Sequence, residues 1–305
     1  VPFSRYHILI RRNQSGRSRA SPQLFPALHS YLLGVELMAK TFHTVLVQAQ
    51  EGGGNPCPNT LDADGLTEQQ MQQMTKDFGE ESAFLMRPTR PDCDIKARYF
   101  VPLHEMEMCI HATIGAATVL VQQGIFQTSP IRFETFFGPV QVDWMRTEAG
   151  IDVGVHQFLP KFMDRNPSAG EVCRVLGIGP EELGNGPIQS AATSRWKLIV
   201  PLKNRAVLDG LQPDFPALWD LCDQYGTTGL YPYALERDES GAPVFFARQF
   251  PKRAGYNEDP ATGVAASALG AYLARHQVLP TAEGWNRYTV MQGFAMGRPS
   301  VIYYN

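Results

Sequence analysis

Two segments of the chain are apolar on nearly every face of a helix. Residues 111–123 and 262–276 are rich in alanine, valine, leucine and glycine. A helix that is apolar all round is buried rather than laid on a surface. The pattern therefore predicts two central helices, each enclosed by a sheet that curves around it, because small side chains let the strands approach closely.

The surroundings of these two helices repeat along the chain. An Ala-Arg step at Arg98 is followed 14 residues later by Ala-Thr, and the same step at Arg248 is followed by Ala-Thr after 13 residues. Upstream, Asp-Gly-Leu leads into an amphipathic helical pattern in each half, and strand-like runs follow at residues 131–142 and 287–304. The repeat predicts an α+β fold of two pseudo-symmetric domains, each a curved mixed or antiparallel sheet wrapped around a buried central helix.

The predicted boundary between these domains lies after Trp144, where glycine, proline and asparagine become frequent. It gives a first domain at residues 40–150 and a second at 151–305. Residues 1–39 stand apart, because five arginines against one glutamate give this segment a charge of +4 in a chain of net charge −3. We expect an upstream extension, with an organellar transit peptide as the alternative. Residues 5–12 also have the composition of a short strand.

Composition narrows the classes of function. With 44% apolar and 19% charged residues, the chain is globular, and its near-neutral charge gives no attraction to nucleic acid or anionic membranes. No apolar run reaches the roughly 18 residues that a membrane span needs. Five scattered cysteines without a CxxC pair argue against a disulfide framework or a zinc site and favour the cytoplasm. We therefore expect no metal, no nucleic acid and no membrane partner.

Three ionisable residues are the candidates for chemistry. Glu81 lies where a helix ends and a strand begins, whereas His111 and Asp259 open the two buried helices. Buried helix starts carry unpaired N–H groups and a positive dipole end, so two starts that meet would suit a carboxylate or an enolate. Structural explanations remain open: Asp259 can be an N-cap, and His111 can be a hydrogen-bonded core residue. The neighbouring Glu80 is a competing candidate for the role of Glu81.

Five ordered segments resemble the PhzF family of phenazine-biosynthesis isomerases, which share the diaminopimelate-epimerase-like fold. The resemblance runs from about Thr41 to Tyr303. The segments are Gly54-Asn55-Pro56, Glu81-Ser82-Ala83-Phe84, Cys109-Ile110-His111-Ala112-Thr113, Asp259-Pro260-Ala261-Thr262-Gly263 and Gly297-Arg298-Pro299-Ser300.

The resemblance implies an active site in the cleft between the two domains, where a proton is transferred on a small carboxylic acid without a cofactor. It implies that Glu81 shuttles the proton and that His111 and Asp259 line the site and orient the substrate. The resemblance also implies a biosynthetic role and a homodimer. The residues expected to bind substrate beside these three are Asn55, Cys109, Gly263 and Val264.

Two positions depart from the family pattern and leave other functions open. Ile110 stands where the family usually has glycine, and Val264 where it often has serine. Both affect the substrate rather than the class of reaction, and both favour the alternative of a non-catalytic protein that binds small carboxylates. A racemase or epimerase of the same fold needs one thiol from each half; Cys109 offers one, but residues 259–266 contain no cysteine. Carbon–carbon bond hydrolysis would use the same carboxylate and anion site.

Overall fold

A computed structural model describes residues 40–46, 48–148, 150–279 and 288–304. Within these ranges the chain forms two eight-stranded sheets and six α-helices. The predicted extension at residues 1–39, and with it the possible strand at residues 5–12, lies outside the described residues. The α+β architecture predicted from the repeat is confirmed.

The first sheet has the strand order β1-β2-β3-β4-β6-β7-β8, with the short β5 paired to β4. The pairs β2/β3 and β4/β6 are parallel, and each is joined by a helix, whereas the other pairs are antiparallel. The strands are β1 Lys40–Leu46, β2 Asn55–Leu61, β3 Ser82–Met86, β4 Ile95–Val101, β5 His104–Met106, β6 Ile131–Thr135, β7 Gly138–Thr147 and β8 Gly150–Val155.

The second sheet repeats this succession, with the order β16-β15-β13-β12-β11-β10-β9 and β14 paired to β12. Again two pairs, β11/β12 and β13/β15, are parallel and span helices. The strands are β9 Lys161–Phe162, β10 Gln189–Ala192, β11 Lys197–Pro201, β12 Gly229–Arg237, β13 Pro243–Ala247, β14 Phe250–Pro251, β15 Tyr288–Gln292 and β16 Ser300–Tyr304.

The two helices predicted to be central are buried, and their observed bounds differ from the predicted ones by one residue. These are α2, Ile110–Gln122, and α6, Gly263–Arg275. All but two of the thirteen residues of each helix are buried. Each packs against its own sheet, and both belong to one continuous apolar core. The prediction that an all-round apolar helix requires an enclosing sheet is thus confirmed.

Four further helices cover the outer faces of the sheets. They are α1 Glu68–Phe78, α3 Ala169–Leu176, α4 Arg205–Gly210 and α5 Phe215–Tyr225. Apolar residues of α3, α4 and α5 form a second core against the second sheet, and α1 packs on the first. Helix α3 was not predicted from the sequence, although Ser168 and Glu171 form a capping box and Gly177 ends the helix.

The predicted domain boundary at residue 150 falls too early for the sheets. Strand β8, Gly150–Val155, pairs with β7 and completes the first sheet. Gly150, which is typical of a linker, instead begins the second strand of the β7–β8 hairpin. The chain leaves the first sheet after Val155 and enters the second at Lys161. The division into two folding units stays a prediction.

The two halves make close backbone contacts. A Cβ atom placed on Gly263 would lie 2.7 Å from Cβ of Ile110, so the starts of α6 and α2 touch and only glycine fits between them. The Gly-Arg-Pro-Ser segment meets the glycine-rich turn of the first half: the carbonyl of Pro299 accepts the N–H groups of Ala49 and Gly54 at 3.1 and 3.3 Å. The sequence motifs therefore hold the halves together.

We expect Gly263→Ala to lower the free energy of unfolding by about 1–3 kcal/mol, because the added methyl group overpacks the contact with Ile110. The measurement is urea denaturation of the purified protein. In an Ile110→Gly background the same substitution is expected to cost clearly less, since the opposing side chain is gone. Equal costs in both backgrounds would show that the contact does not constrain the helix starts.

Candidate active site

A cleft lies where the starts of α2 and α6 meet, and both halves contribute to its walls. The first half supplies Glu81, Cys109 and His111, and the second supplies Asp259, Gly263 and Val264. Neither helix has a side-chain cap, because Cys109 and Thr262 stand at the N-cap positions without a capping hydrogen bond. The first-turn N–H groups of both buried helices are thus not occupied by capping side chains.

Of the two carboxylates that line the cleft, Glu81 and Asp259, Glu81 is held by more donors. It lies between the end of α1 and the start of β3, and its side chain is 11% exposed. The Tyr256 hydroxyl donates to Oε1 at 2.7 Å. On Oε2, the Cys109 thiol donates at 3.2 Å and His111 Nδ1 lies at 3.1 Å. Donors from both halves therefore fix the orientation of this carboxylate at the cleft.

Cys109 and His111 contact each other as well, with 3.2 Å between Sγ and Nδ1. Burial, and then the charge of Glu81, raise the pKa of the Cys109 thiol well above its ordinary value. Burial lowers the pKa of His111, so the ring is neutral at pH 7. Its Nε2 is buried and has no hydrogen-bond partner among the described residues.

The same three side chains are the group that could hold a metal ion. Ligand atoms of Glu81, Cys109 and His111 all lie within 4.8 Å of one another. A metal-bound cysteine is a thiolate, and the raised pKa of Cys109 disfavours that form. The absence of a metal stays a prediction.

Asp259 faces this group from the second half. It is 3% exposed, and burial, followed by the charge of Glu81, raises its pKa well above the ordinary value. The Asn55 amide donates to Oδ1 at 2.7 Å and to the carbonyl of Ala261 at 2.9 Å, and the Thr262 hydroxyl donates to Oδ2. Asn55 thus connects the first half to the segment that precedes α6.

Asp259 is not the N-cap of α6, because the helix begins four residues later and Thr262 stands at the cap position. Thr262 itself has an extended backbone, and the N–H of Asp259 donates to the carbonyl of Gln249 at 3.1 Å. The side chain of Gln292 fixes the segment: its amide donates to the Asp259 carbonyl at 2.7 Å and accepts the Thr262 N–H at 3.2 Å. Asp259 is therefore held at the cleft and does not cap the helix.

The structure brings most of the predicted site residues together. Asn55 is the exception, since it lies behind Asp259 and is not among the residues that line the cleft. Glu80 is not among the lining residues either. The residues that do line it are Glu81, Cys109, His111, Asp259, Gly263 and Val264.

The cleft residues that were not predicted from the sequence include Lys197, Gln249 and Tyr256. Lys197 opens strand β11, is 2% exposed, and has no hydrogen-bond or ion-pair partner among the described residues. Burial, and then the charge of Arg195, lower its pKa to about 7. A lysine at the start of the apolar run Leu198–Val200 was the available signal, because lysine is almost never fully buried without a partner.

Comparison with known proteins supplies the family. The model of a family described as "Phenazine biosynthesis-like protein", PhzC-PhzF, matches residues 48–305. This chain belongs to that family.

Relatives of this PhzF-family chain are named isomerases. An uncharacterized isomerase of Deinococcus radiodurans is 33% identical over 256 residues, 82% of this chain and 81% of the relative. The trans-2,3-dihydro-3-hydroxyanthranilate isomerase of Pseudomonas aeruginosa is 29% identical over 252 residues, 82% of this chain and 84% of the relative.

Solved structures agree with the PhzF assignment. A Bacillus anthracis protein of the PhzF family superposes with a TM-score of 0.74 at 28% identity, covering 87% of this chain and 89% of that one. A probable proline racemase of Agrobacterium radiobacter, at 12% identity and a TM-score of 0.51, covers 82% of this chain and 86% of that one, and it shares the fold alone. Among the described helices, none has the length and apolar character that crossing a bilayer requires.

We expect Lys197→Met to stabilise the protein, on the order of 4 kcal/mol at pH 6. The unfolded chain holds a solvated ammonium group up to a pH near 10, whereas the folded protein must bury that group or deprotonate it. The gain is therefore largest below pH 7, where the buried lysine is charged, and it shrinks as the pH rises toward 10.

Urea denaturation at pH 6 and pH 9 measures this difference. Lys252→Met is the matched control, because Lys252 also lines the cleft but is partly exposed and paired with Asp223 at 2.9 Å. Its effect is expected to stay within about 1 kcal/mol. A loss of stability in Lys197→Met at pH 6 would mean that the lysine supports the fold.

Proposed function

We propose that this chain is a cofactor-independent isomerase that moves a proton between two carbons of a small, cyclic or unsaturated carboxylic acid in the cleft. The observation that carries the proposal is the carboxylate of Glu81, which three donors orient toward the uncapped starts of two buried helices. A base and a site for negative charge thus share one buried space.

Glu81 is proposed as both base and acid. Its carboxylate removes a proton from one carbon and returns it to another, so one residue serves both steps. Between the steps, negative charge spreads over the unsaturated system and the substrate carboxylate. The first-turn N–H groups of α2 and α6 stabilise this charge, because the fold fixes their orientation in advance and the first turns are buried.

Asp259 and His111 are proposed to orient the substrate. Burial and the charge of Glu81 raise the pKa of Asp259, which favours the protonated form, and in that form the side chain can donate a hydrogen bond as well as accept one. The neutral ring of His111 presents Nε2 without a partner. Cys109, Gly263 and Val264 complete the walls beside them.

The name of the Pseudomonas aeruginosa relative gives a starting point for the substrate. That relative is a trans-2,3-dihydro-3-hydroxyanthranilate isomerase, and we propose an acid of the same chemical class, used in a biosynthetic pathway in the cytoplasm. Ile110 and Val264 change the shape of the walls near the helix starts, so the substituents on the substrate are expected to differ.

The racemase alternative lacks support from the cleft. A two-thiol mechanism needs a second cysteine opposite Cys109, and the wall from the second half presents Asp259, Gly263 and Val264 instead. Cys109 is the only cysteine among the described residues that line the cleft. Proton transfer by one carboxylate therefore fits the site better.

We expect Glu81→Gln to reduce turnover by at least about 10³-fold, because the amide can neither remove nor return the proton. The assay incubates the protein with trans-2,3-dihydro-3-hydroxyanthranilate and a set of unsaturated carboxylic acids, and follows the shift of the double bond by ultraviolet absorbance and proton NMR. The variant should keep its fold, as judged by circular dichroism.

Glu80→Gln is the matched control, since Glu80 is the adjacent carboxylate and does not line the cleft. It should retain turnover within about twofold. If activity survives in Glu81→Gln and disappears in Glu80→Gln, the proton is transferred by Glu80 and the proposed role of Glu81 is wrong. Binding without a shift of the double bond for every acid tested would favour the non-catalytic alternative.

A further inference from the structure

The internal repeat lets the two walls of the cleft be compared residue by residue. In the first half, Phe84 on β3 pairs with Arg98 on β4. In the second half, the N–H of Arg248 donates to the carbonyl of Pro232 on β12 at 3.1 Å. Because Arg98 and Arg248 are equivalent in the sequence repeat, Phe84 and Pro232 are equivalent in the fold.

Three residues before these positions lie Glu81 in the first half and Gly229 in the second. The wall that carries the carboxylate is thus matched by a wall where the equivalent residue has no side chain. The proposed proton-transfer group exists once in a duplicated fold.

The neighbouring strand shows the same asymmetry. Thr60 on β2 pairs with Phe84, and Val200 on β11 pairs with Pro232, so these two positions are equivalent as well. Three residues earlier, the equivalent positions are Cys57 and Lys197. A neutral thiol beside the carboxylate in one half is therefore replaced by a cation beside the glycine in the other.

Lys197 is the cleft cation without a counter-ion. Two other basic side chains in the lining are paired: Arg195 lies 2.9 Å from a carboxylate oxygen of Glu107, and Lys252 lies 2.9 Å from Asp223. Lys197 has no such partner among the described residues, although it is buried. A buried charge is costly unless it is paired, so the site is suited to an anion that arrives with the ligand.

Gln249 provides a second group that lacks a partner. Its side chain is buried and lines the cleft, and neither amide atom has a hydrogen-bond partner within the described chain. The amide occupies the space beside Gly229, where a Cβ atom would lie 2.5 Å from Nε2, and the φ of +152° at this residue also favours glycine. Gly229 lies on β12, next to the strand of Lys197, and because it has no side chain the Gln249 amide fits beside it.

We propose that Lys197 and Gln249 form a subsite that binds the carboxylate of the substrate, on the wall equivalent to the one that carries Glu81. The ammonium group of Lys197 and the amide N–H of Gln249 donate to the two carboxylate oxygens. The inference rests on the proposed function, since it takes the cleft to be the site where the acid is isomerised. One wall then performs the proton transfer and the other anchors the acid.

Two other roles for Lys197 give different outcomes. A lysine that only supports the fold would leave ligand binding unchanged when it is replaced. A lysine that acts as a second base would change turnover and not the affinity for a carboxylate. A carboxylate anchor changes affinity, and it does so for the charged ligand and not for its neutral isostere.

The test is isothermal titration calorimetry with anthranilate, its neutral isostere anthranilamide, and benzoate and crotonate as further carboxylates. In wild-type protein at pH 6.5, the carboxylates should bind more tightly than the amide. Lys197→Met should weaken the binding of anthranilate by about tenfold or more, as expected for a lost charged hydrogen bond. Gln249→Leu should weaken it by about threefold to tenfold. Neither variant should alter anthranilamide binding by more than about twofold.

Lys203→Met is the control and should bind anthranilate like the wild-type protein, because Lys203 is exposed and does not line the cleft. Unchanged anthranilate affinity in Lys197→Met, or an equal loss for anthranilamide, would overturn the subsite, as would failure of the wild-type protein to bind any of the three carboxylates. Glu81→Gln separates this test from that of the proposed function: it should lose turnover and still bind anthranilate.

The pH dependence gives an independent readout. The ammonium group is present below a pH of about 7 and lost above it, so anthranilate should bind about tenfold more weakly at pH 8 than at pH 6. Arg195, Asp259, Glu81 and Cys222 are the charged and titratable groups around Lys197. If Asp259 caused the effect, it would persist in Lys197→Met, and that result would contradict the assignment.

Discussion

The contact between the starts of α2 and α6 is the constraint on which the rest of the structure depends. Neither helix has an exposed face, so each must be enclosed by its own sheet, and each sheet must leave one end open for the other half. Ile110 against Gly263 closes that junction. Two positive helix ends consequently lie side by side without capping side chains at the cleft.

The polar residues of the cleft are arranged around this junction at a cost in stability. Asp259 is buried with a raised pKa, and Lys197 is buried with a lowered one. Neither arrangement helps a protein to fold, because charged groups lose their hydration. Groups held in this way are typical of functional sites, where local rules of stability are broken in favour of ligand binding. Asn55 limits the cost for Asp259 by donating to it from the other half.

Much of this architecture could be predicted from the sequence, because periodic patterns report directly on burial. The two central helices were predicted within one residue, and the repeat revealed two equivalent halves. Glu81, Cys109 and His111 were expected near each other and do lie together. Short elements were harder to predict, because they contain too few residues to show a periodic pattern. Helix α3 is only eight residues long, and the glycine at 150 is as typical of a hairpin as of a linker.

The missed site residues share a different cause. Tyr256 reaches Glu81 across 175 positions of sequence, and Gln249 becomes significant only through the glycine at 229 beside it. No local pattern encodes such contacts, since they follow from the way the two halves join. Only Lys197 left a local trace, as a charged residue at the start of an apolar strand.

The equivalence of Glu81 in one half and Gly229 in the other has a stereochemical consequence. A cleft between two identical walls would accept a flat acid in two orientations related by the twofold axis and would protonate either face. In the proposed mechanism the proton-transfer carboxylate, Glu81, has no equivalent on the second wall, so protons would leave and return on one side of the substrate plane. If the proposed mechanism holds, the glycine at position 229 of a duplicated fold would be sufficient to give the product a single configuration.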